Sequence, residues 1–168
     1  AGAQIATATI SGGLNYSGTV TAKADLTVTK ASVTVTADDK TSVYGDALVT
    51  LTSTTSGTVY GSDSLNIGLS KPSGLDVGTY TITVTASNSN YNITLVNGTY
   101  TITAKTLEES DLGDYAFVDG TFGYNSLEHE IEVTGLPLWA NVVYDDNTRT
   151  NAGAQIATAT ISGGLNYS

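Results

Sequence analysis

The chain has 168 residues, lacks cysteine and methionine, and carries 16 acidic against 6 basic side chains, for a formal net charge of −10. The absence of cysteine excludes a disulfide framework and a thiolate metal site. Binding to nucleic acid or to an anionic membrane surface needs basic residues, so we expect neither partner. The abundance of threonine, valine, glycine and asparagine predicts an all-β protein, because these residues favour strands and turns.

The chain does not open with a cationic and then apolar leader, and no apolar run reaches the roughly 20 residues of a membrane span. We therefore expect mature, soluble material from a larger exported protein, without membrane insertion. An extracellular location, on a bacterial envelope or in a secreted fibre, fits this pattern.

Alternation of apolar and polar residues predicts strands along most of the chain. Up to residue 105 the predicted strands are Val20–Ala22, Asp25–Thr29, Ser32–Ala37, Leu48–Thr54, Asn66–Ser70, Thr79–Ala86, a short one around Ile93 and Leu95, and Thr99–Thr103. Asn97–Gly98 predicts a two-residue hairpin, because a type I′ turn needs positive φ at both central positions. A helical turn is expected only at Ala47–Leu51 and Glu108–Leu112.

Beyond residue 105, the predicted strands are Tyr115–Val118, His129–Val133, Ala140–Tyr144 and Gln155–Ile161. Apolar side chains in the same stretch predict a small aromatic and aliphatic core. The predicted core residues are Phe117, Phe122, Leu136, Leu138 and Trp139.

An identical internal repeat is the most informative feature. Residues 1–17 and 152–168 both read AGAQIATATISGGLNYS, so residue 1 recurs at residue 152. Identity over this length does not arise by chance, and it indicates a parent protein that repeats a unit of 151 residues. A duplication engineered into the chain is the alternative.

A fainter repeat predicts two related modules within each unit. Gly78–Ala86 followed by Asn90 and Tyr91 is similar to Gly2–Ile10 followed by Asn15 and Tyr16. The predicted domains are the last strands of a B module (1–31), a complete A module (32–105) and a B module without its last strand (106–168). Modules this small depend on their neighbours, so contacts along an array are expected to matter.

Module A resembles the bacterial surface modules called MBG domains, in the variant marked by a Tyr-Gly step. The matching segments are Val43–Thr52, Val59–Asp63, Asp76–Val84 and Asn90–Thr103. Module B resembles a related repeat of large Gram-positive surface proteins, through Phe117–Pro137, Val142–Ile161 and Ala24–Ala31. That repeat usually has Thr-Tyr where this chain has Ala154 and Gln155, which weakens an inward aromatic contact.

The resemblance implies long arrays of modules in adhesins and other surface proteins, often as stalks. Some relatives are linked to mucus or glycan binding, and no catalytic residues belong to the family. We expect small immunoglobulin-like β-sandwich modules in tandem, with about six to seven strands each. A β-grasp-like sheet crossed by a short helix is the alternative, because mucus-binding relatives include that fold.

The residues themselves give little support for catalysis. The one histidine, His129, lies between Glu128 and Glu130 in an alternating segment, which is typical of a solvated strand face. No nucleophile–base pattern or phosphate-binding glycine loop accompanies it. We therefore expect a protein that is not an enzyme.

Two weaker hypotheses concern ligands. Calcium prefers carboxylate oxygens, and the weak candidate ligands are Asp38, Asp39, Asp145 and Asp146, although paired aspartates in turns usually reflect turn chemistry. No other cofactor is expected. Host or environmental glycans are candidate partners for aromatic rings near turns, although such rings more often seal small cores. The rings in question belong to Tyr44, Tyr60, Tyr115, Tyr124, Tyr144 and Trp139.

A B module without its last strand leaves an edge that recruits strands. The predicted donor strand contains Gly18, Val20, Leu26 and Val28, and the predicted acceptor edge contains Gln155, Ala157, Ala159 and Ile161. Head-to-tail self-association of identical repeats follows, and the leading hypothesis is a structural repeat of a surface fibre or adhesin stalk. The alternative is an adhesive repeat that binds glycan or mucus.

Overall fold

The computed structural model describes residues 2–71 and 73–168, so Ala1, the first residue of the repeated segment, lies outside the described residues. The described part of the chain is essentially all-β. Its strands are β1 (Gly2–Ser11), β2 (Thr19–Val28), β3 (Ala31–Ala37), β4 (Lys40–Val43), β5 (Ser53–Ser56), β6 (Gly68–Ser70), β7 (Gly78–Thr85), β8 (Tyr91–Val96), β9 (Gly98–Thr103), β10 (His129–Glu130), β11 (Asn141–Asp145), β12 (Thr148–Arg149) and β13 (Thr158–Ser162).

The described residues contain one short 3-10 helix, Glu109–Asp111, and no α-helix. This element confirms the helical turn predicted at Glu108–Leu112, whereas Ala47–Leu51 has no helical turn. The β-grasp alternative needs an α-helix across a sheet face, so the described part of the chain favours the sandwich.

The central strands form two sheets that bury alternate residues. One sheet has the order β5-β3-β8, with β3 antiparallel to β5 and parallel to β8, and the other has the order β4-β9-β7-β6. The core is built from β-branched and aromatic side chains, which pack well on a pleated surface. Its fully buried side chains are Val35, Ile82 and Tyr100.

The sequence pattern located β3, β7, β8 and β9 correctly, misplaced β5 and missed β4. The strand predicted at Leu48–Thr54 is wrong for most of its length, because β5 occupies Ser53–Ser56 and the preceding residues are irregular. Strand β4 (Lys40–Val43) was not predicted, because only Ser42 and Val43 separate its polar start from the Tyr44–Gly45 turn.

The hairpin predicted at Asn97–Gly98 is wrong, because β8 and β9 belong to different sheets. Asn97 instead accepts a hydrogen bond from the Val84 amide through its side-chain oxygen, at 3.1 Å. A Cβ on Gly98 would lie 2.6 Å from the Ala37 carbonyl oxygen. Glycine is therefore needed here for close approach of the backbone rather than for positive φ.

The two N-terminal strands form a separate hairpin. β1 and β2 pair antiparallel over ten residues each, from Gly2 opposite Val28 to Ser11 opposite Thr19. The two short strands predicted at Val20–Ala22 and Asp25–Thr29 are therefore one continuous strand. All residues of both strands are exposed, so this hairpin has no core of its own.

The C-terminal part contains two small antiparallel sheets, β10-β12 and β11-β13. The strand predicted at Tyr115–Val118 is reduced to one bridge between Ala116 and Thr134. The predicted core is wrong for two residues, because Phe122 and Leu138 are exposed. Phe117, Leu136 and Trp139 are half-buried.

The described residues divide into two compact units. The first comprises residues 2–40, 50–71 and 80–100, and the second comprises Thr41–Val49, Ser73–Thr79 and Thr101–Ser168. Two short segments between residues 41 and 79 therefore cluster with the C-terminal part of the chain. No helix in the described residues is long and apolar enough to cross a membrane.

Candidate functional site

Both units contain the same backbone pairing at the start of a module. In the first unit, the Ala31 amide donates to the Asn90 carbonyl at 3.0 Å, and Ala31 pairs in parallel with Tyr91. In the second unit, the Lys105 amide donates to the Asn166 carbonyl at 3.0 Å, and Lys105 pairs in parallel with Tyr167. The Asn-Tyr step therefore has one structural role in both places.

A second pairing also recurs. β6 pairs antiparallel with β7, placing Leu69 opposite Val84, and β11 pairs antiparallel with β13, placing Tyr144 opposite Ala159. The repeat that aligns Gly78 with Gly153 aligns Val84 with Ala159. β13 is thus the counterpart of β7, and β11 is the counterpart of β6.

The two sheets differ on the other side of these counterpart strands. β7 lies between β6 and β9, whereas β13 pairs within the described residues with β11 alone. The free edge of β13 occupies the position that β9 takes beside β7. We define the acceptor edge as residues 153–162, which include β13.

The strand that corresponds to β9 is present in the chain as β2. Tyr80 of β7 aligns with Gln4, and Tyr100 of β9 aligns with Leu26. Tyr80 and Tyr100 lie close together, because the Lys71 ammonium lies over both rings, 5.9 Å and 5.1 Å from their centroids. Their counterparts Gln4 and Leu26 are directly paired in the hairpin. β1 and β2 therefore stand to each other as β7 and β9 do.

One face of the hairpin is apolar and exposed. Successive strand residues point to opposite faces, so Gly2, Ala6, Ala8 and Ile10 share a face with their partners Val28, Ala24, Ala22 and Val20. On this face Ile10 is 62% exposed, Val20 68% and Leu26 55%. In the second copy of the repeat, the counterparts of Ala8 and Ile10 are Ala159 and Ile161, which are half-buried in β13. The same face is half-buried in one copy and meets solvent in the other.

The loop that follows β13 is held by aromatic contacts. The Tyr167 ring stacks on Trp139, with centroids 4.3 Å apart and planes 19° apart. The same ring meets Tyr44 edge-on, with centroids 5.6 Å apart. Tyr44 and Trp139 are both candidates for sugar contacts, and Tyr167 covers part of each ring.

Asn166 fixes the same loop through its side-chain amide. Its oxygen accepts from the Val77 amide at 2.8 Å, and its nitrogen donates to the Asp76 carboxylate at 2.9 Å. The backbone is held too, because Ser168 donates to the Lys105 carbonyl at 2.9 Å. We define the docking site as Tyr44, Asp76, Val77, Lys105 and Trp139, all in the second unit.

An ion pair stabilises the edge of this docking site. The Lys105 ammonium contacts the Asp111 carboxylate. This hydrogen bond lowers the pKa of Asp111 below its usual 3.8, and it raises the pKa of Lys105 above 10.5. The Asp111 carboxylate also accepts from the Glu108 amide at 3.1 Å, which ties the 3-10 turn to the start of the module.

The predicted donor and acceptor residues lie as follows. Gly18 precedes β2 with φ at 108°, and Val20, Leu26 and Val28 belong to β2, opposite Ile10, Gln4 and Gly2. Ala159 and Ile161 belong to β13, whereas Gln155 and Ala157 precede it. The structure holds one chain, so the pairing of donor with acceptor stays a prediction.

Gln155 makes local contacts in place of strand pairing. Arg149 donates to the Gln155 side-chain oxygen at 3.0 Å, and Gln155 donates to the Thr148 carbonyl at 2.9 Å. Its counterpart Gln4 lies within the ten-residue strand β1. The identical segment therefore forms a longer strand where β2 is beside it.

The aspartates proposed for calcium serve turns and strand ends. Asp38 accepts from the hydroxyls of Thr52 and Thr54, which lowers the pKa of this carboxyl. Asp39 accepts from the Thr99 amide at 2.7 Å, and Asp146 has φ at 56°. Across residues 2–71 and 73–168, no three His, Cys, Asp or Glu side chains are grouped to hold a metal ion. Calcium at Asp145 or the other candidates stays a hypothesis.

A cleft of about 660 Å³ lies beside residues 117–124. His129 stacks on Phe122 there, with centroids 4.6 Å apart, and its Nε2 is 3.0 Å from the Asn125 side-chain oxygen. Tyr124 is 69% exposed. His129 thus has contacts that organise a loop.

Sequence reasoning missed the docking site. It proposed Tyr44 and Trp139 for sugar contacts, and it did not assign Asp76 or Val77 to any site. The internal repeat carried a usable signal, because the Asn-Tyr step recurs at 15–16, 90–91 and 166–167. A step that recurs in each module is expected to have a structural partner.

The MBG domain family of the YGX type matches residues 33–101 of the chain. The match confirms the resemblance of module A, and this family is typically found in surface proteins. Neither the curated proteins nor the solved structures contain a significant match to the chain.

Proposed function

We propose that this chain is a structural repeat of a long extracellular surface fibre or adhesin stalk, without catalytic activity. Copies join head to tail when β2 of one copy adds to the acceptor edge of another. The observation that carries this proposal is the free edge of β13 at the position that β9 fills beside β7. The family match to residues 33–101 supports the role of a surface module.

The register of the added strand follows from the hairpin. Ala3 lies opposite Thr27, and Ala154 is the counterpart of Ala3 in the second copy of the repeat. In the proposed assembly, Thr27 of one copy therefore lies opposite Ala154 of the next. The apolar face of β2 then continues the face of β13 that holds the half-buried Ala159 and Ile161. Burial of Leu26 and Val28 there contributes about 1.5–3 kcal/mol for each side chain that is fully buried.

Engineered cysteines test this register, because the natural chain has none. Two single-cysteine variants, Thr27→Cys and Ala154→Cys, are mixed in a glutathione buffer, and the mixed disulfide is quantified by mass spectrometry. Directly opposed strand residues fall within disulfide range. The control replaces Ala154→Cys by Thr81→Cys, an exposed position of β7. We expect the mixed dimer with Ala154→Cys only.

Light scattering provides the second readout. We expect a molar mass that rises with protein concentration as copies join. A strictly monomeric chain at all concentrations, together with no Thr27–Ala154 disulfide, would defeat the proposal.

Glycan or mucus binding is a second candidate function. The exposed rings of Phe122 and Tyr124 beside the cleft favour it, because sugars stack on exposed aromatic faces. A glycan array probed with the chain tests this candidate. Saturable binding that Tyr124→Ala abolishes and Tyr60→Ala leaves unchanged would support it, and absence of binding would dismiss it.

A further inference from the structure

The two copies of the repeated segment end in the same preformed turn. The Tyr16 amide donates to the Gly13 carbonyl at 3.1 Å, and the Tyr167 amide donates to the Gly164 carbonyl at 3.1 Å. Only the second copy is docked, because Tyr16 is 81% exposed whereas Tyr167 stacks on Trp139. The first copy therefore has the sequence and the turn of a segment for which the molecule already contains a site.

The docking site contacts groups that both copies of the repeated segment contain. It receives the ring of Tyr167, the side-chain amide of Asn166 and the backbone of Ser168. The first copy offers the same three groups at Tyr16, Asn15 and Ser17. Nothing in these contacts distinguishes a segment of the same chain from the identical segment of a second copy.

We propose that residues 1–17 of one copy replace residues 152–168 of a second copy, so that the β1–β2 hairpin enters as a unit. This exchange rests on the head-to-tail assembly proposed above and is a second route to it that competes with edge addition, because a displaced acceptor edge cannot pair with β2. In simple edge addition, β2 leaves β1 and pairs with β13. In the exchange, β2 keeps its ten-residue pairing with β1, and the second copy's own residues 152–168 are released.

Conservation of contacts favours the exchange. The entering segment re-forms the pairing that Val143 makes with Thr160 and Tyr144 makes with Ala159, now through Thr9 and Ala8. It also brings the exposed apolar residues of β2 to the docking site, and the released segment contains no counterpart of these residues. Residues 152–168 of each copy thus act as an internal competitor, whose tethered, high effective concentration holds the site until another copy enters.

A disulfide between Thr9→Cys and Val143→Cys detects the exchange, because edge addition does not form it. Thr9→Cys and Val143→Cys chains are mixed in a glutathione buffer, because Thr9 takes the place of Thr160 opposite Val143. Both positions are exposed, so the substitutions disturb no core. Formation of the Thr9–Val143 mixed dimer, measured by mass spectrometry against total protein, is the expected result.

A matched pair of substitutions separates the two copies. Tyr167→Ala weakens the internal competitor and is expected to raise the Thr9–Val143 yield about tenfold, whereas Tyr16→Ala weakens the entering segment and is expected to lower it about tenfold. Both changes replace the same residue in the same 17-residue sequence. Tyr16 lies in an exposed turn, so its substitution leaves the fold intact.

The outcomes distinguish this inference from the proposed function. Thr27–Ala154 dimers without Thr9–Val143 dimers, in the natural and the Tyr167→Ala backgrounds, would overturn the exchange and leave edge addition standing. Equal effects of Tyr16→Ala and Tyr167→Ala would also overturn it. Absence of both disulfides would overturn the exchange and head-to-tail assembly together.

Discussion

The Tyr167 ring stacks on Trp139 with centroids 4.3 Å apart, whereas Tyr16, the same residue in an identical segment, is 81% exposed. One sequence therefore occupies two environments in a single chain. The second copy contacts Tyr44, Asp76 and Trp139, whereas Tyr16 of the first copy faces solvent. The same substitution in each copy of the segment therefore measures the effect of the environment alone, because the local sequence is identical.

Asn166 and Asn15 form the first comparison. Asn166→Ala removes the acceptor of the Val77 amide and the donor to Asp76, and an amide left without a partner costs about 1–3 kcal/mol. Asn15→Ala is expected to change the free energy of unfolding by less than about 0.5 kcal/mol, as exposed substitutions do. Urea unfolding at low protein concentration measures both. Equal losses would contradict the assignment of the docking site.

Gly98 tests the point where the chain passes from one central sheet to the other, between β8 and β9. A Cβ at this position would lie 2.6 Å from the Ala37 carbonyl, so Gly98→Ala is expected to destabilise the protein by about 1–3 kcal/mol through overpacking. Gly123→Ala is the control, because a Cβ there meets nothing within 4 Å. Thermal unfolding compares the two. An unchanged melting temperature for Gly98→Ala would show that the backbone at Gly98 does not approach Ala37 as closely as described.

Leu26 tests the apolar face of the hairpin. Leu26→Glu places a charge on the face that the proposed assembly buries, and Thr27→Glu places the same charge on the opposite face. We expect Leu26→Glu to lower the association constant by at least about tenfold, and Thr27→Glu to have a much smaller effect. Sedimentation velocity over a dilution series measures the constants. A stronger effect of Thr27→Glu would reverse the assigned face.

The Lys105–Asp111 pair predicts an acid dependence of stability. The pKa of Asp111 is lowered in the folded protein, so its contribution is complete above pH 3.8 and is lost as the pH falls through the folded value. The stability difference between the natural chain and Asp111→Asn should therefore shrink as the pH falls from about 5 to 2. Asp25→Asn, on the exposed hairpin, is the charge-matched reference. A difference that grows toward low pH would contradict the pair.

Much of the central fold followed from the sequence because its strands alternate regularly. Val33 and Val35, or Ile82 and Val84, mark buried faces that a period of two predicts. The prediction from Asn97–Gly98 was wrong, because the same dipeptide can form a hairpin turn or connect strands of two different sheets. Which one forms depends on the contact of Gly98 with Ala37, distant in the sequence.

The C-terminal part was less predictable because few of its apolar side chains are covered. Phe122 and Leu138 look like core residues in the sequence, yet they are exposed. The 17-residue identity predicted the acceptor edge, but it did not show the docking site. Tyr44, Asp76 and Trp139 converge on the loop from three separated segments, and no local pattern encodes that convergence.

Strand completion is the central claim, and a peptide of residues 18–29 tests it most directly on the intact chain. Hydrogen exchange followed by mass spectrometry measures the amides of residues 153–162, with a control peptide carrying Leu26→Glu and Val28→Glu. We expect saturating natural peptide to slow exchange in this edge at least about tenfold, because edge amides gain hydrogen-bond partners. Unchanged exchange with the natural peptide, or equal protection by the control peptide, would contradict it.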